Sequence, residues 1–296
     1  MTTAELDLER LPPPIAEASA ARRKRLGRQR LITRGLTYLA ATVLALFILA
    51  PIYLITISAF TPRENAFDYP RQLIPQAVST DTLQFFLGAF GVIDAFWRSV
   101  WVALITLVLS LLIGAPAGYA LARFVFRGRS TYRLLVLSTR AFPIVILAIP
   151  LAVTYLRWGI DDSIIGVALM HTALALPFTV LITSSIFISV PRELEEAAQT
   201  LGCNPLQAFL RVSLPLSLPG LAAAAIFTWV LSWNDVFAAV ILTLQNPTLP
   251  AKILTALTQS PIYYQFAAGF FMLLPSMVVI FVIRRYLLGL WGRVVK

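Results

Sequence analysis

Residues 193–215 read ELEEAAQTLGCNPLQAFLRVSLP. Three of the chain's 14 acidic residues, Glu193, Glu195 and Glu196, fall within four positions here, between two long apolar runs. Pro191 suits the first position of a helix, and the positive end of the helix dipole favours the carboxylates in its first turns. Leu194, Ala197, Ala198 and Leu201 recur at helical spacing and form one narrow apolar stripe. Gly202 stands where a helix ends, and Asn204 can cap a second helix with Pro205 at its first position. The stretch therefore predicts helix, tight turn, helix. It is a short rigid foot with one small apolar face and one acidic face.

The flanks of this foot decide the fold class. The chain has 296 residues, a mean hydropathy of +0.80 and only 13% charged residues, about half the charged share of a soluble domain. Six apolar stretches are long enough to cross ~30 Å of hydrocarbon, which needs ~20 helical residues. They cover residues 36–60, 100–122, 134–156, 164–190, 220–244 and 265–283. Helices are required because lipid leaves an open backbone unsatisfied, and the runs lack the alternating polarity of barrel strands. The fold class is all-α, a polytopic membrane bundle. The first run is too long for the apolar part of a removable signal and is expected to stay in the membrane.

Charge sets the orientation. The net charge is +10, yet this is a membrane signature rather than a nucleic-acid one, because Lys and Arg mark the cytoplasmic side. Of the 24 basic residues, most lie in the N-terminal tail, the loops after spans two and four, and the C-terminus. Both termini are therefore expected in the cytoplasm. Residues 1–35 form a polar tail, 36–290 the six-span domain with its loop at 191–215, and 291–296 a short C-terminal tail. The N-terminal tail is expected to be disordered at its start, with an interfacial helix through ARRKRLGRQR that touches lipid or anchors the topology. One cysteine, Cys203, excludes an internal disulfide. No phosphate-binding GxxxxGK[ST] motif, HExxH or GxSxG occurs in the sequence.

Glu196-Ala197-Ala198, then Gly202, then Leu214-Pro215 match in register the cytoplasmic signature of ABC importer permeases, with Val212 in place of its isoleucine. FTWVLSWNDVFAAVILT (residues 227–243) and RRYLLGLWGRVVK (284–296) are similar to segments of the shorter, six-span permease of maltose-type carbohydrate importers. That resemblance implies the type-1 importer transmembrane fold and a non-catalytic transport subunit for a sugar or polyol in a bacterial or archaeal cytoplasmic membrane. It implies a dimer of ATP-binding subunits, a second homologous permease and an extracytoplasmic solute-binding protein as partners. ATP and magnesium would sit on the ATPase, and no cofactor, metal or catalytic residue is expected in this chain. Glu193, Glu195, Glu196, Ala197, Ala198, Gly202, Leu214 and Pro215 would couple it to the ATPase. The loop at 244–264 either reaches the binding protein or simply connects two spans.

Inside the membrane, Trp233, Asn234 and Asp235 in span five are candidates for the solute path, since aromatic faces beside hydrogen-bonding groups suit a sugar ring. The same residues also suit an interhelix hydrogen bond that fixes packing. Arg140 in span three is expected to snorkel to the cytoplasmic interface, and His171, the single histidine, to be a satisfied packing residue. Pro143, Pro150 and Pro177 are expected to kink spans three and four. The Gly114–Gly118 region suits either bending or close packing. An ion-coupled secondary transporter is the alternative function, with Asp235 as its only intramembrane carboxylate.

Overall fold

The computed structural model describes residues 13–65, 73–74, 77–256 and 259–291, with the backbone alone at 13–29 and 285–291. The expected disorder at the start of the tail and the residues after 291 lie outside the described residues. The chain divides into two units, Met1–Ile57 and Ser58–Lys296.

The first unit is built on helix α1 (Pro13–Ala59). It runs unbroken through the boundary expected at residue 35. Its apolar part, Arg30–Ala59, is 30 residues long, about 45 Å at 1.5 Å per residue. The Thr37 and Thr56 hydroxyls donate to carbonyls one turn back, at 2.8 and 2.7 Å, so neither leaves a bare polar group.

The second unit is a helical bundle with α3 (Val92–Arg123), α6 (Ile164–Ser189) and α9 (Leu214–Asn234) packed together and α12 (Ile262–Trp291) against α9. Shorter helices complete it: α2 (Asp81–Gly88), α4 (Arg129–Ser138), α5 (Ile144–Trp158), α7 (Arg192–Thr200), α8 (Pro205–Ala208), α10 (Phe237–Leu242) and α11 (Leu249–Ala256). Among the described residues of the whole chain, five helical stretches, Arg30–Ala59 included, are long and apolar enough to cross a membrane. The bent pair Arg129–Ala141 and Ile144–Trp158 passes the same test when its two limbs are taken as one span, which gives the six expected.

The tightest packing is α3 on α6. A Cβ built on Gly118 would lie 2.7 Å from the Ser184 backbone nitrogen, and one on Gly114 would lie 2.6 Å from Thr179 Cγ2. The Thr183 hydroxyl donates to the Gly114 carbonyl at 2.9 Å. The Gly114–Gly118 patch therefore serves close approach: two small residues one turn apart let the backbones meet, as lipid gives helices little hydrophobic reason to associate. Gly220 does the same for α9, where a Cβ would meet Ile186 at 2.7 Å.

Two spans are not continuous helices, span three at Pro143, where a kink was expected, and span five where none was. Span three breaks at Phe142–Pro143 with a bend of 86°. Pro143 has no N–H to continue the ladder and holds Phe142 extended, at φ −77°, ψ 122°. Span five starts earlier than expected, because α8, a π-helical turn at Phe209–Ser213 and α9 form one stretch, Pro205–Asn234. It then breaks at Asp235, which is extended, before α10 resumes.

At the end of the bundle opposite the foot, Asp162 adopts φ +49°. Its carboxylate accepts the backbone N–H groups of Leu244, Gln245 and Asn246 at 2.8–3.2 Å and the Asn246 amide at 2.9 Å. This pins the start of the 244–264 loop to the turn before α6.

Gly118→Ala is expected to lower the melting temperature of the detergent-solubilised protein, since overpacking costs about 1–3 kcal/mol. Gly118→Leu is expected to abolish folded yield. Gly88→Ala, where nothing lies within 4 Å of the new Cβ, serves as the unaffected control.

Candidate functional site

The foot forms as its local sequence directs. Pro191 stands one position before the helix it was expected to open, and α7 begins at Arg192. It ends in a Schellman turn: Gly202 has φ +95°, its N–H donates to Gln199 O at 2.9 Å, and Cys203 N–H donates to Ala198 O at 3.0 Å. Asn204 and Gln207 then form a capping box, each side chain accepting the other's backbone N–H at 2.8 and 3.0 Å. The helix that this box caps is not a separate second helix of the foot but the start of span five. The foot's turn is therefore joined directly to a membrane helix.

The faces of α7 are the reverse of an ordinary amphipathic helix. Leu194 and Leu201 are 44% and 87% exposed, and Leu206 just beyond is 64% exposed. The residue turned into the bundle is Glu195, 4% exposed. Glu193 and Glu196 point outward, with Glu196 in an exposed pair with Arg192 at 3.4 Å. The acidic face expected of all three glutamates therefore keeps two of them.

Glu195 is the joint between the foot and the spans. Its Oε1 accepts Arg123 Nε at 2.7 Å and the Ser213 hydroxyl at 2.5 Å, and its Oε2 accepts the Tyr119 hydroxyl at 2.8 Å. Arg123 Nη2 lies 2.6 Å from Oε1 and also donates to Val190 O at 2.9 Å. Tyr119 and Arg123 lie in the last turns of α3, Val190 ends α6, and Ser213 leads into α9. An aromatic cluster seals the joint: Tyr119 packs on Phe209 at 4.5 Å and on Phe187 at 5.4 Å between centroids. Burial alone pushes the Glu195 carboxyl up, but the bonds from Ser213, Tyr119 and Arg123 and the Arg123 charge outweigh it, so it is held below its ordinary value.

A second polar cluster lies within the membrane. His171, 1% exposed, pairs through Nδ1 with the Ser232 hydroxyl at 2.8 Å and through Nε2 with Asp235 Oδ2 at 3.1 Å. The same Oδ2 accepts Ala238 and Ala239 N–H at 3.0 and 3.4 Å, so Asp235 satisfies the backbone where span five breaks. Asp235 also lines a cavity of about 750 Å³ with Arg140, Thr139, Tyr132 and apolar side chains of α3, α5 and α6.

Residues 112–288 match the family described as the inner membrane component of binding-protein-dependent transport systems. The chain belongs to this family. It is a non-catalytic permease subunit of an ABC transporter, and a multi-pass membrane protein. It is 32% identical to a trehalose transport system permease of Mycobacterium tuberculosis, over 75% of this chain and 81% of that one. It is 33% identical to an arabinooligosaccharides transport system permease of Halalkalibacterium halodurans, over 71% of this chain and 78% of that one. In fold it is similar to a chain of a bacterial ABC transporter importing the acidic polysaccharide alginate, with TM-score 0.69, 21% identity, and 88% and 98% of the two chains covered. It is similar also to a chain of the MetNI methionine ABC transporter, with TM-score 0.57, 20% identity, and 70% and 97% covered.

Within this permease, the signature residues gather in one foot. Ala197 is exposed and Ala198 half-buried, Gly202 makes the turn, Leu214 opens α9 packed on the α3 end, and Pro215 after it is exposed. The three residues expected on the solute path part company. Trp233 is fully buried, stacked on Trp229 at 5.9 Å, and donates to Met272 O at 3.0 Å, so it ties α9 to α12. Asn234 donates to Val230 O of its own helix at 2.8 Å. Only Asp235 reaches the cavity wall. The Arg140 guanidinium, expected to snorkel, stacks on Phe178 at 3.7 Å. Sequence reading missed Tyr119, Arg123 and Ser213 as partners of Glu195. Arg123 at the end of an apolar helix looked like a topology marker.

Glu195→Ala leaves Arg123 buried without its counter-charge and is expected to destabilise the permease by about 3–5 kcal/mol. The double variant with Arg123→Ala should lose less than the sum of the two single losses. Melts over a pH series check the sign. The folded value is depressed, so the advantage of wild type over Glu195→Gln is full above the ordinary carboxylate range and shrinks as pH falls through the depressed value.

Proposed function

We propose that the chain is the sugar-translocating permease of an ATP-driven importer, with its foot docked on a separate ATPase. One observation carries the reading. Leu194, Leu201 and Leu206 are exposed at a foot whose one buried carboxylate is tied to α3 and α9 directly and to α6 through Arg123. Apolar side chains standing outward on a rigid, solvent-side helix suit coverage by another protein. Glu193 and Glu196 beside them supply orientation toward basic or polar groups of that partner. Ala197 leaves room for its backbone.

In this reading the partners are a pair of ATP-binding subunits, a second permease of the same fold and an extracytoplasmic binding protein that delivers the solute. ATP and magnesium reside on the ATPase. The bias of Lys and Arg supports a cytoplasmic side for the foot and both termini, and the membrane in this reading is the cytoplasmic membrane of a bacterium or archaeon. Closure of the ATPase pair moves the foot, and the Glu195 joint passes that displacement to α3, α6 and α9 as one body. The names of the trehalose and arabinooligosaccharide relatives support a saccharide as the solute.

Glu196→Lys and Leu201→Glu are each expected to leave the permease in the membrane and remove most of the co-purifying ATPase. Unchanged co-purification and uptake in both variants would overturn the docking. Uptake that survives ATP depletion but collapses with an uncoupler would replace this reading with ion-coupled transport.

A further inference from the structure

Arg140 and Asp235 are two charged side chains on the wall of the 750 Å³ cavity, whose other lining is mostly apolar. That volume lies within the range of about 300–1,000 Å³ typical of small-molecule sites. Charged residues inside a bilayer are expensive and face paired groups or water-filled cavities along a solute route.

The two charges are used differently. Arg140 makes no hydrogen bond or ion pair with any described residue. It lies flat on Phe178, at 3.7 Å, and Phe178 is braced edge-on by Phe227 at 4.5 Å. Phe178 sits near the middle of the 26-residue α6, so the guanidinium is held near half-depth with its face covered and its N–H edge free. Asp235 spends Oδ2 on His171 and on the α10 backbone, while Oδ1 makes no bond with a described residue. The cavity thus offers a planar row of donors and one carboxylate acceptor, with opposite charges.

Resting on the importer reading above, we infer that Arg140 and Asp235 form a solute contact in this permease for a neutral, polyhydroxylated molecule. Hydroxyls of one solute in this cavity can accept from the guanidinium edge and donate to the carboxylate. The apolar remainder suits the C–H faces of a sugar ring. An anionic solute would gain Arg140 and be repelled by Asp235. A cation would meet the reverse. A solute without net charge can use both, and a polyhydroxylated one does so with no charged group of its own to be desolvated.

The experiment uses the complete transporter with its binding protein, reconstituted in liposomes, and tritiated trehalose, diacetylchitobiose, arabinotriose and an alginate trisaccharide as probes. Wild type is expected to import at least one neutral saccharide in preference to the alginate. Arg140→Ala is expected to lower maximal uptake of that saccharide about tenfold or more, the loss of a charge-assisted hydrogen bond. Arg140→Gln, which keeps donors, should retain more. Complex yield and ATP hydrolysis without solute should be unchanged in both. Unaltered uptake by Arg140→Ala overturns the contact. Loss of the second permease from the Arg140→Ala complex also overturns it, since Arg140 would then bind that partner. Preference of wild type for the alginate overturns the neutral class. Import of no probe by wild type removes the saccharide reading itself, and this contact with it.

Discussion

Gly114 and Gly118 bring the α3 backbone onto Thr179, Thr183 and Ser184 of α6, closer than any Cβ would allow. The remainder of the second unit is arranged around that contact. Lipid is as apolar as leucine, so burial alone holds two membrane helices together weakly, and packing and hydrogen bonds must do it. Removing two Cβ atoms gives both. It lets dispersion act along a long seam, and it brings the Thr183 hydroxyl within 2.9 Å of a carbonyl that is otherwise only helix-bonded. With α3 and α6 joined, their ends at the foot become neighbours, and Tyr119, Arg123 and Val190 come within reach of one another around one carboxylate.

That carboxylate turns a surface loop into part of the bundle. A buried ion pair is poor evidence for net stability, because desolvation offsets much of the attraction. Its value here is geometric. Glu195 has Tyr119, Ser213 and two nitrogens of Arg123 around its two oxygens, and it admits few other positions. The leucines of the same helix remain outside. A foot built this way is stiff inward and adhesive outward, the combination needed to carry a partner's movement into the membrane.

The two broken spans place polar groups at depth without leaving the backbone bare. Pro143 ends one limb of span three just after Arg140, whose side chain lies on Phe178 of α6. At the break in span five, Asp235 serves the α10 N–H groups that the lost helical turn would have satisfied. His171 holds the same oxygen and thereby ties α6 to the break. The interhelix bond that the sequence allowed for Asp235 and its place on the cavity wall occur together, since the residue that bonds His171 through Oδ2 also lines the cavity.

Much of this was legible along the chain. Apolar run length set the number of spans, because hydrocarbon thickness and helix rise are fixed. Gly202, Asn204 and Pro205 set the turn and cap of the foot, because those preferences act over three or four residues. Facing was not legible. Spans such as α6 are apolar all round, so periodicity says nothing about which side meets lipid and which meets protein. Glu195 and Glu196 are adjacent and chemically alike. One is buried and one exposed only because Arg123, 72 residues earlier, lies beside α7 in the folded chain. Trp233 went to the core and Arg140 to the cavity for the same reason. A side chain's partner across the bundle is chosen by helix packing, which local sequence spacing does not encode.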